Sequence, residues 1–125
     1  MFRISIAFAV ALAAALGIVG CQSDEAKLNE HLSRGDGYFE EEKYKEAIIE
    51  YKSALQLDPN IAAAHWGLAQ SHLKNEQTRE GFWELRETVR LDPSNSEARL
   101  RFGQISILAG ELDDALEQAD EVIQS

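Results

Sequence analysis

Small and apolar side chains recur along residues 28–125 with two nested periods. Within a segment such as Tyr44 to Leu57, the positions Ala47, Ile48, Tyr51, Ala54 and Leu55 fall three or four apart and line one stripe of an α-helix. Between segments the pattern returns after 34 residues: Ala47 recurs as Gly81 and Ala115, and Leu57-Asp58-Pro59 as Leu91-Asp92-Pro93. A helix-turn-helix unit of this length cannot bury its apolar stripe alone, so neighbouring units must stack to share a core. The pattern therefore predicts an all-α solenoid of about three repeats, at 28–61, 62–95 and 96–125.

Each repeat reads as a helix A and a helix B. The first pair spans about Leu28 to Glu41 and Tyr44 to Leu57, where Pro59 stops propagation because it lacks an N–H and disfavours helix at Asp58. The second pair spans Ala62 to Lys74 and Thr78 to Leu91, broken at Asn75-Glu76-Gln77 and closed by Asp92-Pro93. Ser94 and Glu97 have capping-box spacing, which starts the third pair near Ser94, with a turn at Gly110 and a last helix over Leu112 to Gln124. In that helix Ala119, Val122 and Ile123 form an apolar stripe that a fourth repeat or a partner would cover.

With these positions in hand, the chain from Leu28 to Ser125 resembles the tetratricopeptide repeat family. Counting from Leu28, Ala62 and Ser96, the family's small eighth residue is Gly35, Ala69 and Gly103, and its small twentieth is Ala47, Gly81 and Ala115. Helices A and B cross closely only where both lack bulk. The twenty-fourth position, usually aromatic, is Tyr51, Leu85 and Ala119; the thirty-second is Pro59 and Pro93. Departures are His31, His65 and Arg99 at the fourth position, often Trp, and Arg34 at the seventh, usually Leu.

The resemblance implies a right-handed superhelix whose A helices line a concave groove with their second, fifth, ninth, twelfth and thirteenth positions. The fifth is Leu32, Trp66 and Leu100, the ninth Asp36, Gln70 and Gln104, and the twelfth Phe39, Leu73 and Ile107. Such a surface suits a protein or peptide segment with apolar anchors, Trp66 being the expected hot spot. The same residues can instead serve only to pack A helices together. The family's carboxylate-clamp variant needs Lys, Arg and Asn along this groove, and Lys74 is the only basic residue at a thirteenth position, so an acidic tail is a poor ligand. Ile49 and Trp83, at the twenty-second position, point outward and form either a local cluster or a second, convex contact.

Charge and the N-terminus add a location. Residues 4 to 19 are uncharged and apolar behind Arg3, the shape of a secretory signal and short of the roughly 20 residues that span a bilayer. Ile18-Val19-Gly20-Cys21 resembles the lipobox of bacterial lipoproteins, which implies a signal peptide over 1–20, cleavage before Cys21, and lipidation of that cysteine, with palmitate among the acyl chains. Gln22, where enteric lipoproteins kept at the inner membrane carry Asp, implies the outer membrane, facing the periplasm. Residues 22–27 read as a short polar tether. Removing the leader leaves 11 basic against 22 acidic side chains. That excess keeps the surface solvated or docks a basic partner, and it disfavours nucleic acid, which needs a basic stripe to release counterions.

Motifs for catalysis or metal are missing from the sequence. His65 and His72 are seven apart on a helix, about 10 Å along its axis, too far for one zinc ion. There is no HExxH pair, nucleophile elbow or phosphate-cradling loop. The sequence therefore predicts a membrane-anchored, non-enzymatic scaffold without cofactor or metal, serving envelope assembly or secretion of pili, exopolysaccharide or outer-membrane proteins. A docking activator of an envelope enzyme, or the front of a larger lipoprotein, fits the same residues.

Overall fold

The computed structural model describes the backbone of residues 23–124 and the side chains of residues 23–110; the leader, Cys21 and Gln22 lie outside the described residues. The described backbone holds five helices and no strand: α1 Asp24–Glu40, α2 Tyr44–Leu57, α3 Ala62–Lys74, α4 Thr78–Leu91 and α5 Ser96–Gln124. Helix α1 packs on α2, α2 on α3, α3 on α4 and α4 on α5, with α1 also reaching α3. This stacking of each unit on the next is what the 34-residue period requires, and α2, α3 and α4 begin and end where that pattern placed them.

The two complete repeats turn in the same way. Glu42 and its equivalent Glu76 both adopt left-handed backbone, φ 60° and 61°. Beyond them, Lys43 N donates to Tyr38 O at 2.8 Å and Gln77 N to His72 O at 2.9 Å, which closes each helix A. At the repeat boundaries Asp58 accepts from Asn60 N at 2.9 Å and Asp92 from Ser94 N at 3.1 Å, forming turns that the following prolines keep out of helix.

Three boundaries differ from expectation. Helix α1 starts at Asp24, so Asp24 to Lys27, part of the short polar tether expected from the sequence, form its first turn. Ser23 caps that turn, its hydroxyl accepting from Ala26 N at 3.2 Å, and Asp24 and Glu25 favour the positive end of the dipole. Ser94 does not cap α5, because Asp92 takes both its N–H and its hydroxyl; Asn95 caps instead, accepting from Ala98 N at 2.9 Å, and Glu97 pairs with Arg101 at 2.7 Å. Finally, the turn expected at Gly110 is absent and α5 runs unbroken to Gln124. Glycine inside a helix costs about 1 kcal/mol, a sum that the strong helix formers on either side outweigh.

Two apolar clusters form the core. Ala47, Ile48, Tyr51 and Leu68 make the first, with Leu32, Tyr38, Phe39 and Leu55 packed against it. Ala69, Leu85 and Ala98 make the second, backed by Trp66, Leu73, Val89, Phe102 and Ile105. Tyr51 passes between two glycines: a Cβ on Gly35 would stand 2.7 Å from its ring, and one on Gly67 would overlap it. The fourth-position histidines tie helix A to helix B in each complete repeat, His31 Nδ1 lying 2.7 Å from Glu50 and His65 Nδ1 2.6 Å from Glu84.

Candidate groove between the first and third helices

Because α1 and α3 are successive A helices, their facing surfaces leave a furrow with α2 behind it. Asp36, Phe39 and Glu40 of α1 form one wall, Ala63, Trp66, Gly67 and Gln70 of α3 the other, and Tyr51 of α2 the floor. The space enclosed is about 360 Å³. It depends on glycine at 67, since any side chain there would collide with the tyrosine and close the furrow.

Four of the sequence-predicted groove residues meet here: Asp36, Phe39, Trp66 and Gln70. Leu32 and Leu73 turn into the two core clusters instead and do not line this furrow. Leu100, Gln104 and Ile107 lie exposed on α5, away from it, Leu100 and Ile107 each with more than half of their surface open. Ala63 and Glu40 occupy the second and thirteenth repeat positions, so the repeat register held their signal although neither side chain is conspicuous by itself. The sequence places Tyr51 on the apolar stripe of α2 and gives no sign of a role in the groove; the glycines flanking it in space, Gly35 and Gly67, mark its second face.

The groove's electrostatics are one-sided. Asp36 and Glu40 contribute carboxylates, Gln70 an amide, and none of the lining residues is Lys or Arg. Tyr51 donates its hydroxyl proton to Asp36 Oδ1 at 2.6 Å, which holds the carboxylate across the floor and leaves its second oxygen for a ligand. Burial, and then the hydrogen bond to Asp36, push the Tyr51 phenol well above its usual range. Trp66 packs one edge on the second core cluster, with the Arg101 guanidinium 5.9 Å from its ring. The site thus offers three aromatic side chains, Phe39, Tyr51 and Trp66, beside hydrogen-bond acceptors, a surface suited to an extended segment carrying donors or positive charge.

On the B helices α2 and α4, Ile49 and Trp83 are 62 % and 48 % exposed, as the twenty-second position implies. Arg86 lies over the Trp83 ring at 4.4 Å.

Comparison with known proteins agrees with this architecture. Residues 35–76 match the family model for the TPR repeat. The chain is 32% identical over 98 residues to Hsp70-Hsp90 organizing protein 3 of Arabidopsis thaliana, and 32% identical over 116 residues to FK506-binding protein 59 of Drosophila melanogaster. These alignments take in 78% and 82% of this chain but only 18% and 26% of the relatives, so the chain spans at most about a quarter of their length. Among solved structures, the second TPR of Spaghetti (RPAP3) bound to the HSP90 peptide SRMEEVD superposes with a TM-score of 0.63 at 27% identity, over 80% of this chain and 94% of that one. The second TPR domain of human RPAP3, in complex with the HSP70 peptide SGPTIEEVD, gives 0.65 at 27% identity, over 80% and 83%.

Proposed function

From a chain with the tetratricopeptide fold and a matching repeat at residues 35–76, we propose that it acts as a binding adaptor. It takes up an extended segment of another protein in the groove between α1 and α3. The observation that carries this reading is the meeting of Asp36, Phe39, Trp66 and Gln70 around one furrow over Tyr51. The two solved neighbours hold peptides ending in Glu-Glu-Val-Asp. Here the lining carries two carboxylates and no cation, so like-charge repulsion opposes such a tail and favours a segment with Lys or Arg beside an apolar anchor.

The resemblance of Ile18-Val19-Gly20-Cys21 to a lipobox supports an anchor at Cys21, by which the adaptor would face the periplasm from the outer membrane and hold a client of envelope assembly or secretion. That part rests on residues 1–22 of the sequence. Confinement to the bilayer raises the local concentration of adaptor and client without adding contacts. Because Ser23 already caps α1, an anchor at Cys21 would hold the folded part close to the lipid.

Titrating the protein into two short labelled peptides, one bearing Lys or Arg next to Leu or Phe and the other SRMEEVD, tests the reading through the fluorescence anisotropy of the label. The basic peptide is expected to bind, more weakly as salt rises, and Trp66→Ala to weaken it at least tenfold. Tighter binding of the acidic peptide, or indifference to Trp66→Ala, contradicts the proposal.

A further inference from the structure

The first half of α5 is an A helix without a B helix. In the second repeat the inward positions Leu68, Ala69, Ser71 and His72 are 1 %, 0 %, 0 % and 4 % exposed. One period later Phe102, Gly103, Ile105 and Ser106 are all only partly covered. Helix α4 approaches α3 so closely that a Cβ on Gly81 would stand 3.3 Å from Ala69 O, yet nothing lies within 4 Å of a Cβ built on Gly103, the equivalent of Ala69. Leu73 packs against Gly81, whereas its counterpart Ile107 is 63 % exposed. An apolar groove of about 280 Å³, walled by Phe82 of α4 and by Ile105 and Ala109 of α5, continues this face, with Arg79 at its rim.

The sequence supplies a helix of the missing kind. In residues 111–124, Ala115 stands in register with Ala47 and Gly81, Leu116 with Ile48 and Phe82, and Ala119 with Tyr51 and Leu85. The segment has six acidic residues and no basic one, which complements Arg79. The backbone of α5 is helical without a break from Ser96 to Gln124, so the segment runs on for roughly 20 Å past Gly110 at 1.5 Å per residue and does not fold back onto its own α4–α5 groove. Gly110 sits at the position of Glu42 and Glu76, the residues that turn with positive φ. Glycine accepts that conformation without strain and also continues a helix, so both paths of the chain are open at this point.

We propose that two copies of the chain exchange residues 111–124, each segment docking on the α4–α5 face of the other and completing its third repeat. The exchange is self-complementary, because every chain offers one groove and one segment, and it closes at two copies.

Single cysteines placed in a Cys21→Ser background test this. Gly103→Cys and Ala115→Cys occupy the pair of positions where Ala69 and Gly81 meet, within reach of a disulfide. Mixing the two full-length single variants under mild oxidation is expected to yield a species of about twice 13.9 kDa, and Ile107→Glu to weaken association at least tenfold with circular dichroism unchanged. A disulfide that forms only within a chain carrying both cysteines shows the segment folding back on its own groove and overturns the proposal. No disulfide in either arrangement overturns it as well.

Discussion

Tyr51 and Asp36 meet across the floor of the groove, the phenol donating to Oδ1 at 2.6 Å while its ring fills the gap between Gly35 and Gly67. One residue therefore serves core and site together. Burial raises the phenol's pKa, so the folded state favours the neutral form. The associated stability is complete below the unfolded tyrosine value of about 10 and is lost as pH rises beyond it. Tyr51→Phe is expected to cost about 1 kcal/mol at pH 7 and to flatten the alkaline loss. Urea unfolding at pH 7 and pH 11 measures both; an unchanged alkaline slope contradicts the assignment.

The glycines around that ring are not equivalent. Gly67→Ala forces a methyl into Tyr51 and is expected to destabilise by about 1–3 kcal/mol. Gly37→Ala, in the same kind of helix but with nothing within 4 Å of the new Cβ, is expected to stabilise by about 0.5–1 kcal/mol through lower chain entropy. Thermal melts of the two variants should move in opposite directions.

The start of α5 gives a second contrast. Asn95→Ala removes the acceptor of Ala98 N and is expected to cost about 1 kcal/mol. Ser94→Ala, which loses only an exposed contact with Asp92, should cost a few tenths as a surface change. Equal losses would return the cap to Ser94.

Lipidation is tested on the mature protein itself. Mass spectrometry of its N-terminal peptide is expected to begin at Cys21 with the added mass of acyl chains, and Cys21→Ser to release the chain from washed membranes. A soluble wild-type product contradicts the anchor.

Helix identity and stacking were legible because periods of 3.6 and 34 residues act over many positions at once, and α2, α3 and α4 fall within the bounds those periods set. What escaped depends on single competitions between nearby groups. Asp92 captures Ser94 and hands the cap to Asn95; helix formers around Gly110 win over the turn that its glycine permits. Half of the groove was readable for the same reason as the helices, since Asp36, Phe39, Trp66 and Gln70 follow the register. Leu32 and Leu73 share that register but turn inward, because a helix stripe fixes direction only to within a face and leaves the neighbouring helices to decide depth.

Where the ligand sits is the central question, and amide NMR shift mapping with the bound basic peptide addresses it most directly. The account predicts that the largest perturbations fall on Asp36, Phe39, Glu40, Ala63, Trp66 and Gln70, with Ile49 and Trp83 unmoved. Perturbations centred on Ile49 and Trp83, with the α1–α3 groove silent, would contradict it.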